Sequence, residues 1–137
     1  MSVLANLKPV EVFKYFEEIC SIPHGSGNVG RLADYCVNFA KKQGLRFVRD
    51  NADNVIIYKN ATCDSLEPVI LQGHLDMVCQ KTEDCEIDFE RDGLEIYVDG
   101  NIVTAKGTTL GADNGIAVAM ILAILSSRDL KHPTIEA

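Results

Sequence analysis

Apolar residues recur at helical spacing in two segments near the start of the chain. The first segment runs from Pro9 to Cys20, and Pro23 ends it because the residue before a proline avoids helical geometry. The second ends at Gln43, where Gly44 is a favourable helix stop. The positions predicted to face the core are Val10, Phe13, Phe16 and Cys20 in the first helix, and Leu32, Cys36, Phe39 and Ala40 in the second.

The middle of the chain is patterned for short strands. A hairpin is predicted around Asp99-Gly100, and Thr62 to Glu67 is predicted to be a polar loop. Ile116 to Ser126 is apolar nearly all round, which predicts a buried helix. This order of elements predicts an α/β domain with a mixed β-sheet and flanking helices. The predicted strands are 45–48, 54–58, 69–71, 94–98, 101–104 and one starting at 134.

Charge and cysteine content narrow the classes of partner and compartment. The chain has 137 residues and a formal charge of −7, which argues against nucleic-acid or anionic-membrane partners. It has five cysteines and no Cys-x-x-Cys pair, which predicts reduced thiols and a cytoplasmic, reducing compartment. No secretory signal is visible, and the longest apolar run is too short to cross a bilayer.

A histidine and an aspartate follow the predicted strand at 69–71. His74 and Asp76 are two residues apart, so an extended backbone would project both side chains from one face at a strand end. Strand ends are where open α/β sheets build ligand sites. The pair is compatible with a metal ligand and its orienting group, with a general base and its orienting group, or with a plain surface pair.

Residues 107–115 form a second glycine-rich stretch with several interpretations. Asn114-Gly115 is compatible with a hairpin turn, although the helical pattern after it argues against one. Backbone amides at the helix start could hold an anion. In a third interpretation Asp113 is a carboxylate ligand, able to bridge two metal ions about 3.5–4 Å apart.

Gly25 to Gly30 spells a literal G-x-G-x-x-G, but dinucleotide binding also requires a strand before it. Here a helix and Pro23 precede it, so we interpret it as a turn with Asn28 as the helix N-cap. The remaining histidines, His24 and His132, are interpreted as ordinary solvent-exposed residues.

Two stretches together resemble a known family. Residues 71–76 resemble the first metal motif of the co-catalytic zinc peptidases called M20, and residues 108–115 resemble the second. The sequence of the second motif is similar to that of the aminoacyl-histidine dipeptidase branch. Residues 20–26 also resemble that branch. The resemblance extends over essentially the whole chain.

The resemblance implies a role for three residues. His74 would ligate one of two divalent metal ions, with zinc first and manganese or cobalt as alternatives. Asp76 would serve catalysis by orienting that imidazole, and Asp113 would bridge the two ions. The Asp113–Asn114 peptide bond would be cis. The implied substrate is a dipeptide ending in histidine; no other cofactor site and no substrate-contacting residue is indicated.

Family members are much longer and carry a glutamate pair, a further carboxylate and a distant histidine that this chain lacks. We therefore expect residues 1–137 to be a partial catalytic domain without the lid or dimerisation domain, inactive alone, from a parent that is a homodimer. The alternatives are a non-catalytic binding module on the same scaffold and a dinucleotide-binding protein.

Overall fold

The structure, a computed structural model, describes residues 2–63 and 67–137. The predicted polar loop Thr62 to Glu67 therefore lies partly outside the described residues. The helices are α1 (Val10–Cys20), α2 (Gly30–Gln43) and α3 (Ala112–Ser126), and the strands are β1 (Arg46–Arg49), β2 (Val55–Lys59), β3 (Val69–Ile70), β4 (Ile96–Asp99), β5 (Ile102–Ala105) and β6 (Ile135–Glu136).

Four of these strands form a mixed sheet in the order β1-β2-β6-β3, and β4 and β5 form a separate hairpin. Strand β6 is antiparallel to β2 and parallel to β3, so it joins the two parts of the sheet. The predicted α/β class with a mixed sheet and flanking helices is confirmed. No helix in the described part of the chain is long and apolar enough to cross a membrane.

Helix α3 packs against α1, and the two contribute much of the core. The prediction for α2 is confirmed, since its four predicted core positions are all buried. In α1 the prediction is confirmed for Phe16 and Cys20, which are buried, and wrong for Val10, which is 50% exposed. The other buried residues of α1 are Val12, Tyr15 and Ile19. The apolar pattern of α1 is broad, and packing against α3 decides which part of it is covered.

Two local boundaries also differ from the prediction. Gly44 ends α2 at φ 69°, as expected, but Val29 is the N-cap and Asn28 instead donates a side-chain hydrogen bond to the carbonyl of Glu90 (3.3 Å). In the hairpin, Asp99 pairs with Ile102, so the two loop residues lie one position later than predicted.

The prediction that His24 and His132 are solvent exposed is wrong. They are only 3% and 7% exposed. Each Nδ1 donates to a nearby backbone carbonyl, of Ile22 for His24 (2.6 Å) and of Pro133 for His132 (2.7 Å). An imidazole that satisfies a carbonyl in this way can be buried in the neutral form, and burial lowers the pKa of His24.

All five cysteines are free, as predicted. Burial raises the pKa of Cys20 and of Cys36 to about 12, so neither forms appreciable thiolate near neutral pH. We expect iodoacetamide at pH 8 to leave these two thiols unmodified in the folded chain and to modify all five in denaturant without reductant. Mass spectrometry of the alkylated protein measures both numbers. Three or one modified thiols in denaturant would reveal a disulfide instead.

Candidate metal centre

The site begins where strand β3 ends. Gly73 passes close to α3, and a Cβ at this position would lie 3.2 Å from Cγ2 of Val118. Immediately afterwards, Nδ1 of His74 donates to the backbone carbonyl of Asp76 (2.9 Å) and lies 3.2 Å from the Oδ1 atom of the same residue. The prediction that these two side chains project together is confirmed. Because Asp76 accepts from Nδ1, a neutral His74 ring would offer its lone pair to an ion at Nε2, and without an ion Nε2 donates to Asp113.

Asp113 reaches the same point from the start of α3. The chain enters the helix through Gly111 at φ 71°, and the Asp113–Asn114 peptide bond is cis, as the resemblance implied. Oδ1 of Asp113 lies 3.0 Å from Nε2 of His74. Asn114-Gly115 lies within α3 and not in a hairpin, so that interpretation of the glycine-rich stretch is wrong.

Electrostatic interactions link the three side chains. The hydrogen bond to Asp113 raises the pKa of His74, and interactions with Asp76 act in the same direction. A hydrogen bond from Ser26 lowers the pKa of Asp76, so this carboxylate stays ionised beside the imidazole. The Asp113 side chain is 96% exposed, which leaves its oxygens accessible to an ion from solvent.

The residues present fit a divalent metal ion. Two ligand atoms that share one zinc ion at about 2.0–2.2 Å must lie within about 4.4 Å of each other. The 3.0 Å separation of His74 Nε2 and Asp113 Oδ1 meets this limit. Histidine nitrogen and carboxylate oxygen are also the donors that zinc takes. In the described residues, no third His, Cys, Asp or Glu joins them as a ready-made ligand cluster.

The sequence analysis did not predict a fourth residue of the site, Ser26. Ser26 donates a hydrogen bond to Oδ2 of Asp76 (2.5 Å) from a loop fifty residues earlier in the chain. The glycine-rich segment that contains it follows α1 and precedes α2, so the strand required for dinucleotide binding is not there. Only the resemblance of residues 20–26 to the dipeptidase branch pointed to this loop.

His74 and Asp76 also line one wall of an open cavity of about 710 Å³. Residues 52–57 and part of α3 form other walls, and Glu136 of β6 lines it as well. The cavity therefore connects the candidate site with the middle of the mixed sheet.

Comparison with known proteins shows which proteins the chain is similar to. No protein-family profile matches the chain. It is 46% identical over 138 aligned positions to the cytosol non-specific dipeptidase of Escherichia coli strain K12, which covers 99% of this chain. Its fold matches the aminoacylhistidine dipeptidase of Vibrio alginolyticus with a TM-score of 0.92 and 48% identity over 97% of this chain. Nearly the whole chain is therefore similar to part of two dipeptidases, in keeping with the resemblance of its two motifs.

The name of the Vibrio alginolyticus protein agrees with the aminoacyl-histidine dipeptidase branch that the sequence resembles. The chain spans 28% of the length of each of these two relatives. Two further peptidase structures, an aminopeptidase of Bacillus cereus and a tripeptidase of Staphylococcus aureus, match with TM-scores of 0.73 at 18% and 20% identity. These two matches concern the fold alone.

Proposed function

We propose that this chain supplies part of the active site of a metal-dependent dipeptidase. The observation that carries the proposal is the approach of His74 Nε2 to Asp113 Oδ1 at 3.0 Å, with Nδ1 of the same imidazole held by Asp76. An imidazole oriented in this way, facing an exposed carboxylate, is the arrangement of a metal ligand with its orienting partner.

The residues would divide the work as follows. His74 and Asp113 hold the ion, and Asp76 fixes the ring so that Nε2 faces it. A bound divalent ion supplies two effects, polarisation of the scissile carbonyl and a lower pKa of a bound water. Asp113 has two carboxylate oxygens, and only Oδ1 contacts His74, so Oδ2 remains available for a second ion.

The finer assignments rest on the relatives. The Vibrio alginolyticus protein is called an aminoacylhistidine dipeptidase, which supports a dipeptide with C-terminal histidine as the substrate. The Escherichia coli protein is called a cytosol non-specific dipeptidase, which supports a cytoplasmic location and a dipeptide substrate. Zinc is the proposed ion because of the donor set, with manganese or cobalt as alternatives. A homodimeric parent remains part of the proposal on the basis of the family resemblance.

Metal titration of this chain tests the proposal. We expect the native chain to bind Zn²⁺ and Mn²⁺ weakly, and His74→Ala and Asp113→Asn to lose that binding. Even loss of an outer partner costs about 10–100-fold in affinity, so loss of a ligand should cost at least as much. Calorimetry gives the affinities, and Mn²⁺ is included because cysteine thiolates favour Zn²⁺.

Asp129→Asn is the matched control, since Asp129 is an exposed aspartate just beyond the other end of α3. It should bind both ions like the native chain. Equal binding by His74→Ala and the native chain would place the ion elsewhere and would end the proposal.

A further inference from the structure

The turn between α1 and α2 contacts the candidate metal centre through one hydroxyl group. Asn28 N–H donates to the carbonyl of Gly25 (2.8 Å), and Gly27 has φ 82°. Ser26, the second residue of the turn, does not have a positive φ, whereas Gly27, the third residue, does. This combination defines a type II turn, which requires a positive φ at its third residue. Gly27 meets that requirement without strain. The turn thus fixes where the backbone of Ser26 lies.

This turn is fastened to the segment that carries Asp76. Gly25 forms a parallel bridge with Met77, the amide of Met77 donates to the carbonyl of His24 (3.0 Å), and the amide of Ser26 donates to the carbonyl of Met77 (3.2 Å). Backbone hydrogen bonds therefore fix the position of Ser26 relative to Asp76.

The hydroxyl then selects one orientation of the carboxylate. Ser26 Oγ donates to Oδ2 of Asp76 at 2.5 Å, while Oδ1 of the same carboxylate lies 3.2 Å from Nδ1 of His74. Each carboxylate oxygen thus faces one neighbour, and Nδ1 of His74 also donates to the backbone carbonyl of Asp76 (2.9 Å). Asp76 is 43% exposed, so without Ser26 its side chain has solvent into which it can rotate.

We propose that Ser26 is a positioning residue for the metal centre: it holds the Asp76 carboxylate beside Nδ1 of His74, where the carboxylate and the Asp76 carbonyl together orient the imidazole. This role rests on the proposed function of His74 as a metal ligand. Loss of a direct partner of a metal-binding histidine costs about 10–100-fold in metal affinity. Ser26 acts one step further from the metal, so we expect Ser26→Ala to weaken Zn²⁺ binding by about 3–10-fold.

The test is a double-mutant cycle on this chain, measured by calorimetric titration with Zn²⁺ alone. If Ser26 acts through Asp76, Ser26→Ala should weaken binding in the native background and have no further effect in an Asp76→Ala background. Ser26→Thr keeps the hydroxyl at an exposed position and should restore native affinity. Ser21→Ala is the control, because among the described residues the Ser21 hydroxyl donates only to the carbonyl of Glu18 in α1, away from Asp76.

A crystal structure of metal-free Ser26→Ala supplies the second measurement. We expect the Asp76 carboxylate to leave its contact with His74, whereas Asp76 keeps its position in Ser21→Ala. Unchanged Zn²⁺ affinity and an unchanged carboxylate in Ser26→Ala would overturn the proposal, as would an equal loss of affinity in the Asp76→Ala background. Failure of the native chain to bind Zn²⁺ at His74, together with a displaced carboxylate in the variant, would instead refute the metal-binding function.

Discussion

Replacing Gly111 with alanine should lower the free energy of unfolding by about 2–5 kcal/mol and displace Asp113. Gly111 has φ 71°, where a residue with a Cβ costs about 1–2 kcal/mol. The added Cβ would also lie 2.9 Å from Sδ of Met77 and 3.3 Å from Nε2 of His24. Both neighbours are buried, so relieving the overlap should cost about 1–3 kcal/mol more. Urea denaturation measures the change.

Gly44→Ala is the matched control. Gly44 has φ 69°, but a Cβ there meets nothing within 4 Å, so this variant should show only the conformational cost of about 1–2 kcal/mol. Equal losses in the two variants would mean that packing around Gly111 is looser than the structure indicates. A Gly111→Ala chain that remains folded should also bind Zn²⁺ more weakly, whereas Gly44→Ala should bind it as the native chain does.

This 137-residue chain should hydrolyse β-alanyl-histidine at least about 10²-fold more slowly than the Vibrio alginolyticus aminoacylhistidine dipeptidase. Typical catalytic zinc sites have three protein ligands, and the described residues bring together two, His74 and Asp113. A missing general base alone costs about 10²–10⁴-fold. The assay uses excess Zn²⁺ or Mn²⁺, and histidine release is followed with time.

The His74→Ala chain, which we expect to have lost a metal ligand, provides the background rate in this assay. Turnover by the native chain near the rate of the long relative would show that a general base lies within these residues. Glu136, which lines the same cavity as His74, and Asp84 would then be the first candidates. Metal binding without turnover is expected both for part of a dipeptidase and for a non-catalytic binding module. To separate these two hypotheses, the same substrate must also be tested with a longer polypeptide that includes these residues.

Periodic patterns predicted the helices and most strands because those elements bury one face of a regular repeat. The end of α2 at Gly44 was predictable for a local reason: a left-handed residue at the end of a helix favours glycine whatever lies around it. The exposed position of Val10 was not, because the pattern of α1 offers more apolar positions than α3 covers. The register of the hairpin around Gly100 depends on the twist of its turn. The sequence pattern does not distinguish two registers that differ by one residue.

The candidate site was predictable only in part. Spacing alone placed His74 and Asp76 on one face, whereas the approach of Asp113 came from the family resemblance, since thirty-nine residues separate it from His74. Burial of His24 was missed because the carbonyl that accepts its hydrogen bond becomes available only once the chain has turned after α1. The contact of Ser26 with Asp76 depends on the long-range bridge between Gly25 and Met77, for which the sequence has no periodic signal.

The position of β6 between β2 and β3 has a consequence for synthesis on the ribosome. Among the strands that the structure describes, β3 pairs only with β6, and sixty-five residues separate Ile70 from Ile135. At about 5–20 residues per second, roughly 3–13 s pass between the translation of these two strands. During that interval Val69 and Ile70 have no sheet partner, and the segment leading to His74 is unanchored on that side. We therefore expect the candidate metal centre to be among the last parts of this chain to assemble, after α3 and β6 have both left the exit tunnel.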